Sequence, residues 1–218
     1  AVTLVDAYAT PGAGLWWGQD ERALLGAPVA TLLAELGRVI GRGKAFAAVV
    51  VAYTPFHRPP RRDDVLGALL AGVRVLLPDA TVVLADAYQS GQHYVEAEGD
   101  AVLGSYPEAD AWVKYEAEVT VPELLAALGR GESIAGTHRG VPPPSLDALP
   151  FPAWDLVDLA AHDRFCARVL EHLGRGPWAF PIDGRTLPMV TSLPAGSSAV
   201  NTKSRSRGSQ SSGNSTCW

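Results

Sequence analysis

The first stretch of this chain with the makings of a ligand site is glycine-rich: Thr10–Gly18 reads TPGAGLWWG, with glycines at 12, 14 and 18. Backbone N–H groups bared by such glycines can cradle a pyrophosphate when the loop joins a strand to a helix N-terminus. The spacing here is G-x-G-x-x-x-G, and the next strand ends in Tyr53 and Thr54 where a dinucleotide site needs an acidic residue for the ribose. The loop therefore reads as a ligand-facing edge, with a Rossmann-like nucleotide-binding enzyme as the alternative. Asp86 closes a strand where an aspartyl-phosphate acceptor could sit, but the acidic cluster and lysine of that chemistry are not evident. Glu116 and Glu118, two apart at a strand exit, suit solvation or capping better than acid–base work. His57, His93, His138, His162 and His172 have no metal-ligand spacing. Cys166 and Cys217 lie too far apart for a C-x-x-C site or a disulfide framework, and no nucleophile elbow or Walker loop occurs.

The elements that must position these residues alternate. Ala1–Ala7 (AVTLVDA) reads as a first strand running into the Thr10–Gly18 loop. From Glu21 to Ile40 the apolar residues recur at spacings of three and four, the stripe of a helix closed by Gly41 and Gly43. Phe46–Tyr53 (FAAVVVAY) is continuously apolar, as in a parallel strand covered on both faces. Asp63 is placed to cap a helix carrying Leu66, Leu69, Leu70 and Val73, stopped by Pro78. Thr81–Ala85 and Ala111–Tyr115 read as further strands, with a helix over Tyr94–Leu103 between them. Thr120, followed by Pro122 and Glu123, reads as the cap of the next helix, and Ile134–Gly140 as a small hairpin. The alternation implies an α/β chain with a doubly wound, mostly parallel sheet and a C-terminal extension. Its crossovers should be right-handed and its ligands bound beyond the C-terminal strand ends.

Residues 1–140 form the expected main domain, 141–163 a proline-rich connector and 164–192 the start of a second unit with a helix at Arg164–Leu173 and a strand at Thr186–Thr191. Residues 193–218 form a Ser/Gly-rich tail, expected to be disordered. At 218 residues with a formal net charge of −5, the chain lacks a basic face for nucleic acid or an anionic membrane, so small molecules or proteins are the expected partners. No run reaches the roughly 18 apolar residues of a membrane span, and a reducing, cytoplasmic setting is expected. The start at Ala1, without a Met, reads as a trimmed N-terminus.

The order of features over residues 1–192 resembles the front half of cobalamin-dependent radical S-adenosylmethionine enzymes, including the class B methyltransferases. Val113–Leu128 (VKYEAEVTVPELLAAL) resembles that family's strand, its glycine–glutamate–glycine–glutamate turn and its "TLPELL" helix, with Tyr115 and Ala117 where glycines are usual. Ile134–Gly140 and Leu146–Val157 (LDALPFPAWDLV) are similar to its hairpin and to its connector, the most specific element of the match. Leu187–Ser192 (LPMVTS) is similar to the first strand of its radical barrel. There the family carries CxxxCxxC, but this chain has Leu193–Val200 (LPAGSSAV), without a cysteine.

The resemblance implies a flavodoxin-like domain binding cobalamin base-off, without a protein histidine on cobalt, since the first loop holds none. The corrin would face Tyr8, Thr10, Pro11, Gly12, Gly14 and Trp16 of the first loop. It would also face Thr54, Pro55 and Phe56; Asp86, Ala87, Tyr88, Gln89 and Ser90; and Tyr115, Glu116 and Ala117. In an intact parent the same resemblance implies a four-iron four-sulfur cluster, S-adenosylmethionine and a small-molecule substrate, with cobalamin carrying a methyl group to an unactivated carbon. Without three thiolates the cluster cannot be held, so this chain alone is expected to be inactive; a non-catalytic truncated module is the other alternative.

Overall fold

The computed structural model describes residues 2–17, 23–42, 45–53, 61–86 and 99–172. Four parallel strands form its central sheet: β3 (Ala48–Tyr53), β4 (Thr81–Asp86), β5 (Ala111–Lys114) and β6 (Gly136–Arg139), side by side in that order. Helices cover both faces, so the chain is α/β with a doubly wound parallel sheet. A separate antiparallel hairpin pairs β1 (Gly14–Trp17) with β2 (Ala23–Gly26).

Side-chain alternation along the strands decides which helix goes where. Val51, Val82, Leu84 and Trp112 point to one face and are buried by α2 (Asp64–Leu76) and α3 (Gly99–Ser105) through Leu66, Leu70, Val73 and Val102. The residues between them, Val83, Ala111 and Val113, point the other way and meet Val121, Leu124 and Leu128 of α4 (Ala117–Gly129). α1 (Val29–Ile40) lies against α2, where Gly72 has no side chain and admits Leu33; a Cβ there would stand 2.2 Å from a Leu33 methyl. Asp63 caps α2, its carboxylate accepting from Val65 and Leu66 N–H, as the sequence leads one to expect.

Charged groups tie off the N-terminal end of the sheet. The Arg74 guanidinium donates to the carbonyls of Glu108 and Ala80 and to the Asp110 carboxylate, which in turn accepts the Val82 N–H. Arg62 makes two hydrogen bonds to Glu108, and the Tyr106 hydroxyl accepts the N–H of Asp63. Apart from the Arg74–Ala80 bond within the α2–β4 connection, these bonds join segments 28 or more residues apart in the chain, so they fix spacing that apolar packing alone leaves free.

Several expectations need correction. Ala1–Ala7 forms no strand: its described residues run as irregular chain, and from Asp6 onward they curl into a turn. The Thr10–Gly18 loop does not end at a helix, because Gly14–Trp17 is itself a strand and the chain folds back through Ala23–Gly26. Pro28, which lacks an N–H, is the N-cap residue, and α1 starts at Val29 and not at Glu21. α4 begins at Ala117, not at Thr120. Thr120 is buried within it, and its hydroxyl accepts the Val141 N–H at 2.9 Å. Ile134–Gly140 is no hairpin but a single edge strand, parallel to β5.

That edge strand also overturns the expectation of uniform handedness. The strands progress one way across the sheet, yet α2 and α3 cover one face and α4 the other. The β5–α4–β6 crossover therefore has the opposite hand to the two before it, an arrangement found in only about one in fifty cases. Covering the second face is what requires it, since a parallel sheet bared on one side leaves Val83, Ala111 and Val113 in water.

After β6 the chain runs through short 3-10 turns at Leu146–Ala148 and Trp154–Leu156 into α5 (Leu159–His172). Phe151 of this connector is 97% exposed and Trp154 61%. α5 packs on the N-terminal hairpin, where Phe165 is buried with Ala13 and Ala27. Among the described residues no helix is long and apolar enough to cross a membrane.

Replacing Leu70, whose side chain is fully buried in the larger core, by alanine should cost about 2–5 kcal/mol of stability, read from the midpoint of urea unfolding. A second outcome concerns acid. Arg62 holds the Glu108 carboxyl below its ordinary range, chiefly through their hydrogen bonds. Its stabilisation is complete above the unfolded value, about pH 4.3, and fades as pH falls through the folded one. Glu108→Gln should be less stable at neutral pH and lose less further stability between pH 5 and 3 than the parent, measured by urea unfolding at each pH.

Candidate functional site

Strand ends in a parallel sheet place their exit loops together, and the exit of β5 runs directly into a helix. Tyr115 follows the last strand residue with φ 72°, the one non-glycine residue with positive φ among those described. The left-handed conformation costs a residue with a Cβ roughly 1–2 kcal/mol and is the ordinary place of glycine. It turns the chain out of β5 within one residue and starts α4 directly, with Glu116 as the N-cap residue and no side-chain cap bond.

A glycine opposite makes room for this turn. A Cβ on Gly140, just past β6, would lie 2.2 Å from the Glu116 carbonyl oxygen and 2.6 Å from its nitrogen. Backbone therefore sits on backbone here, fastened by the Gly140 N–H donating to the Lys114 carbonyl at 2.6 Å. The β6 partner of Lys114 is Arg139. Both bring their cations to the Tyr115 ring: Lys114 Nζ lies 4.8 Å from its centroid and Arg139 Cζ 4.7 Å. Contacts of this length are attractive through the ring quadrupole. Lys114 is 7% exposed, whereas Arg139 stands at the surface.

Arg139 also borders a groove of about 670 Å³ between α4 and β6, lined further by Thr120, Glu123, Arg130 and His138. That size lies within the usual range of small-molecule sites. His138 is committed elsewhere, its Nε2 within 2.9 Å of the Ile134 carbonyl.

The residues expected to face a ligand divide into groups. Tyr115, Glu116 and Ala117 form the β5 exit just described. Asp86 ends β4 in register with Tyr53 of β3, so its backbone stands on the same sheet end. Thr54, Pro55, Phe56, Ala87, Tyr88, Gln89 and Ser90 lie outside the described residues.

The first-loop residues gather around α5. Thr10 is buried, with its hydroxyl and N–H both donating to the Asp6 carbonyl; Pro11 and Gly12 complete the turn. Tyr8 packs its ring on Phe165 at 5.0 Å, and the adjacent His162 lies 2.7 Å from the Asp6 carboxylate. Gly14 and Trp16 belong to β1, and the Trp16 indole donates to the Gly26 carbonyl. These contacts bind the first loop to α5 and the hairpin and give it no helix N-terminus at its glycines.

Sequence reasoning missed Lys114, Arg139 and Gly140. Reading Ile134–Gly140 as a hairpin hid the parallel register that sets Arg139 beside Lys114. No metal-binding group of three or more His, Cys, Asp or Glu occurs among the described residues. Cys166 is half-buried, and burial pushes its thiol up from its ordinary range. No protein-family model, curated protein or solved structure matches the chain.

The close fit at the β5 exit sets an outcome for Gly140→Ala. The added methyl must displace the Glu116 backbone, not a flexible side chain, and should cost about 1–3 kcal/mol, whereas Gly129→Ala, with open space around it, should not destabilise. Thermal unfolding followed by circular dichroism measures both.

Proposed function

We propose that this chain is the cobalamin-binding portion of a cobalamin-dependent radical S-adenosylmethionine enzyme, a methyltransferase acting on an unactivated carbon of a small-molecule substrate in the cytoplasm. The observation that carries the reading is the backbone of Tyr115. The resembled family places glycine at this point of the β5 exit, and the left-handed φ of 72° is the conformation that glycine serves. A sequence position that resembles a glycine turn thus has the backbone of one, although its side chain is tyrosine.

The described residues fit a cobalamin at the sheet's C-terminal end. The β5 exit is narrow because backbone meets backbone at Glu116 and Gly140. A groove of about 670 Å³ adjoins it along α4 and β6. When bound, cobalamin supplies a cobalt-held methyl group. The chain's own residues would hold it: Tyr115 presents an aromatic ring to the exit, the α4 N-terminus offers N–H groups without a side-chain cap, and the parallel strands fix the separation of the exits.

The cluster is a different matter. Its motif is lacking at Leu193–Val200 and Cys166 does not replace it, so no radical step is assigned to this chain. A nucleotide at the glycines of the first loop is the less supported alternative, because those glycines open a hairpin strand and not a helix.

Purified chain mixed with hydroxocobalamin and passed through gel filtration should retain visible absorbance of base-off form in the protein fraction. A colourless protein fraction would remove the proposal.

A further inference from the structure

The connector between β6 and α5 presents aromatic side chains to solvent on a stiff backbone. Phe151 is almost wholly exposed and Trp154 more than half so, with Leu156 and Leu159 exposed beside them. Single apolar residues at a surface need no explanation, but a run of them this close in the chain forms the kind of patch that marks an interaction site. Pro150 and Pro152 fix φ on either side of Phe151. The turn at Trp154–Leu156 is closed by the Leu156 N–H donating to the Ala153 carbonyl and the Val157 N–H donating to the Trp154 carbonyl. Rings carried on a backbone already held in place lose little entropy on being covered.

The same stretch carries Asp147, Asp155 and Asp158 and no lysine or arginine, so an occupant that brings cations gains by complementarity. The chain beyond His172 has that character. Although the whole protein has a net charge of −5, this part holds Arg175, Arg185, Lys203, Arg205 and Arg207 against Asp183 alone, and Trp178 and Phe180 lie near its start.

From these observations we infer that the connector is an intramolecular docking surface and that its occupant is the segment Arg175–Val190 of the same chain. Trp178 and Phe180 cover Phe151 and Trp154, and Arg175 and Arg185 come among the three aspartates. Reach permits it. α5, 14 residues long, rises about 21 Å at 1.5 Å per residue, and an extended chain recovers that length in about seven residues. A segment leaving His172 thus returns to the start of α5, where the connector ends, at about Phe180. A second copy of the protein is the poorer occupant, because two connectors that meet bring carboxylates together without a cation between them. The contact does not depend on a corrinoid at the β5 exit.

Trypsin reads the contact, because Arg175 and Arg185 are cleavage sites inside the segment whereas Arg205 and Arg207 lie outside it. In the full chain, cleavage at Arg175 and Arg185 should be about tenfold or more slower than at Arg205 and Arg207, followed by mass spectrometry. Combining Phe151→Ser with Trp154→Ser should speed cleavage at Arg175 and Arg185 about tenfold and leave the other two sites unchanged. Both side chains lie outside the buried clusters, so the fold is retained, and far-UV circular dichroism checks it. Trp154→Phe, which keeps a ring, should keep the protection. Equal rates at Arg175 and Arg185 in the parent and the double variant would overturn the inference, as would protection that rises with protein concentration, the mark of a second copy on the connector.

Discussion

The need to cover a parallel sheet on both faces governs this structure. β4 and β5 carry apolar side chains up and down in alternation, Val82 and Leu84 against Val83, Trp112 against Ala111 and Val113. Neither face can be left to water without exposing several of them, and burial at about 25 cal/mol per Å² is the main favourable term available. α2 and α3 satisfy one face. The other needs a helix, and α4 has to cross to reach it, so the last crossover reverses hand and β6 arrives at the edge.

The candidate site follows from that crossing. To leave β5 and start a helix on the opposite face, the chain turns at Tyr115 through a left-handed residue, and the tightness of the turn brings Glu116 onto Gly140. β6, returning parallel, sets Arg139 beside Lys114. An aromatic ring, two cations, one of them buried, and a helix start without a side-chain cap are thus assembled by the covering of a hydrophobic face. The hairpin and α5 form a smaller second cluster around Phe165, on which Leu32 of α1 packs while Leu33 and Leu36 of the same helix pack on the main core.

Much of this was legible in the sequence, for reasons that differ by element. The long apolar runs at 48–53 and 81–86 and the three-and-four spacing after Asp63 each have one low-energy reading, and β3, β4 and α2 form where those patterns lie. Short segments without such redundancy misled. AVTLVDA has strand composition but runs as irregular chain. GLWW and ALLG are each four residues long and pair only with each other, which no local pattern announces. Thr120 and Pro122 carry the signature of a helix start, yet the turn at Tyr115 comes first and the helix simply continues through the proline. At the site, Tyr115, Glu116 and Ala117 were reached through the resemblance of Val113–Leu128 to a known family's turn and helix, not through their own spacing. Arg139 was not, because its role depends on a register between distant segments.

The central claim is that a corrinoid seats on the strand ends at the β5 exit. Hydrogen exchange with mass spectrometry, with and without hydroxocobalamin, tests it most directly by locating contact along the chain. The account predicts slowed exchange at residues 115–119 and 139–141, with the far end of the sheet around Arg74 and Asp110 unchanged. Protection confined to other segments, with residues 115–119 exchanging as fast as in the free protein, would contradict it.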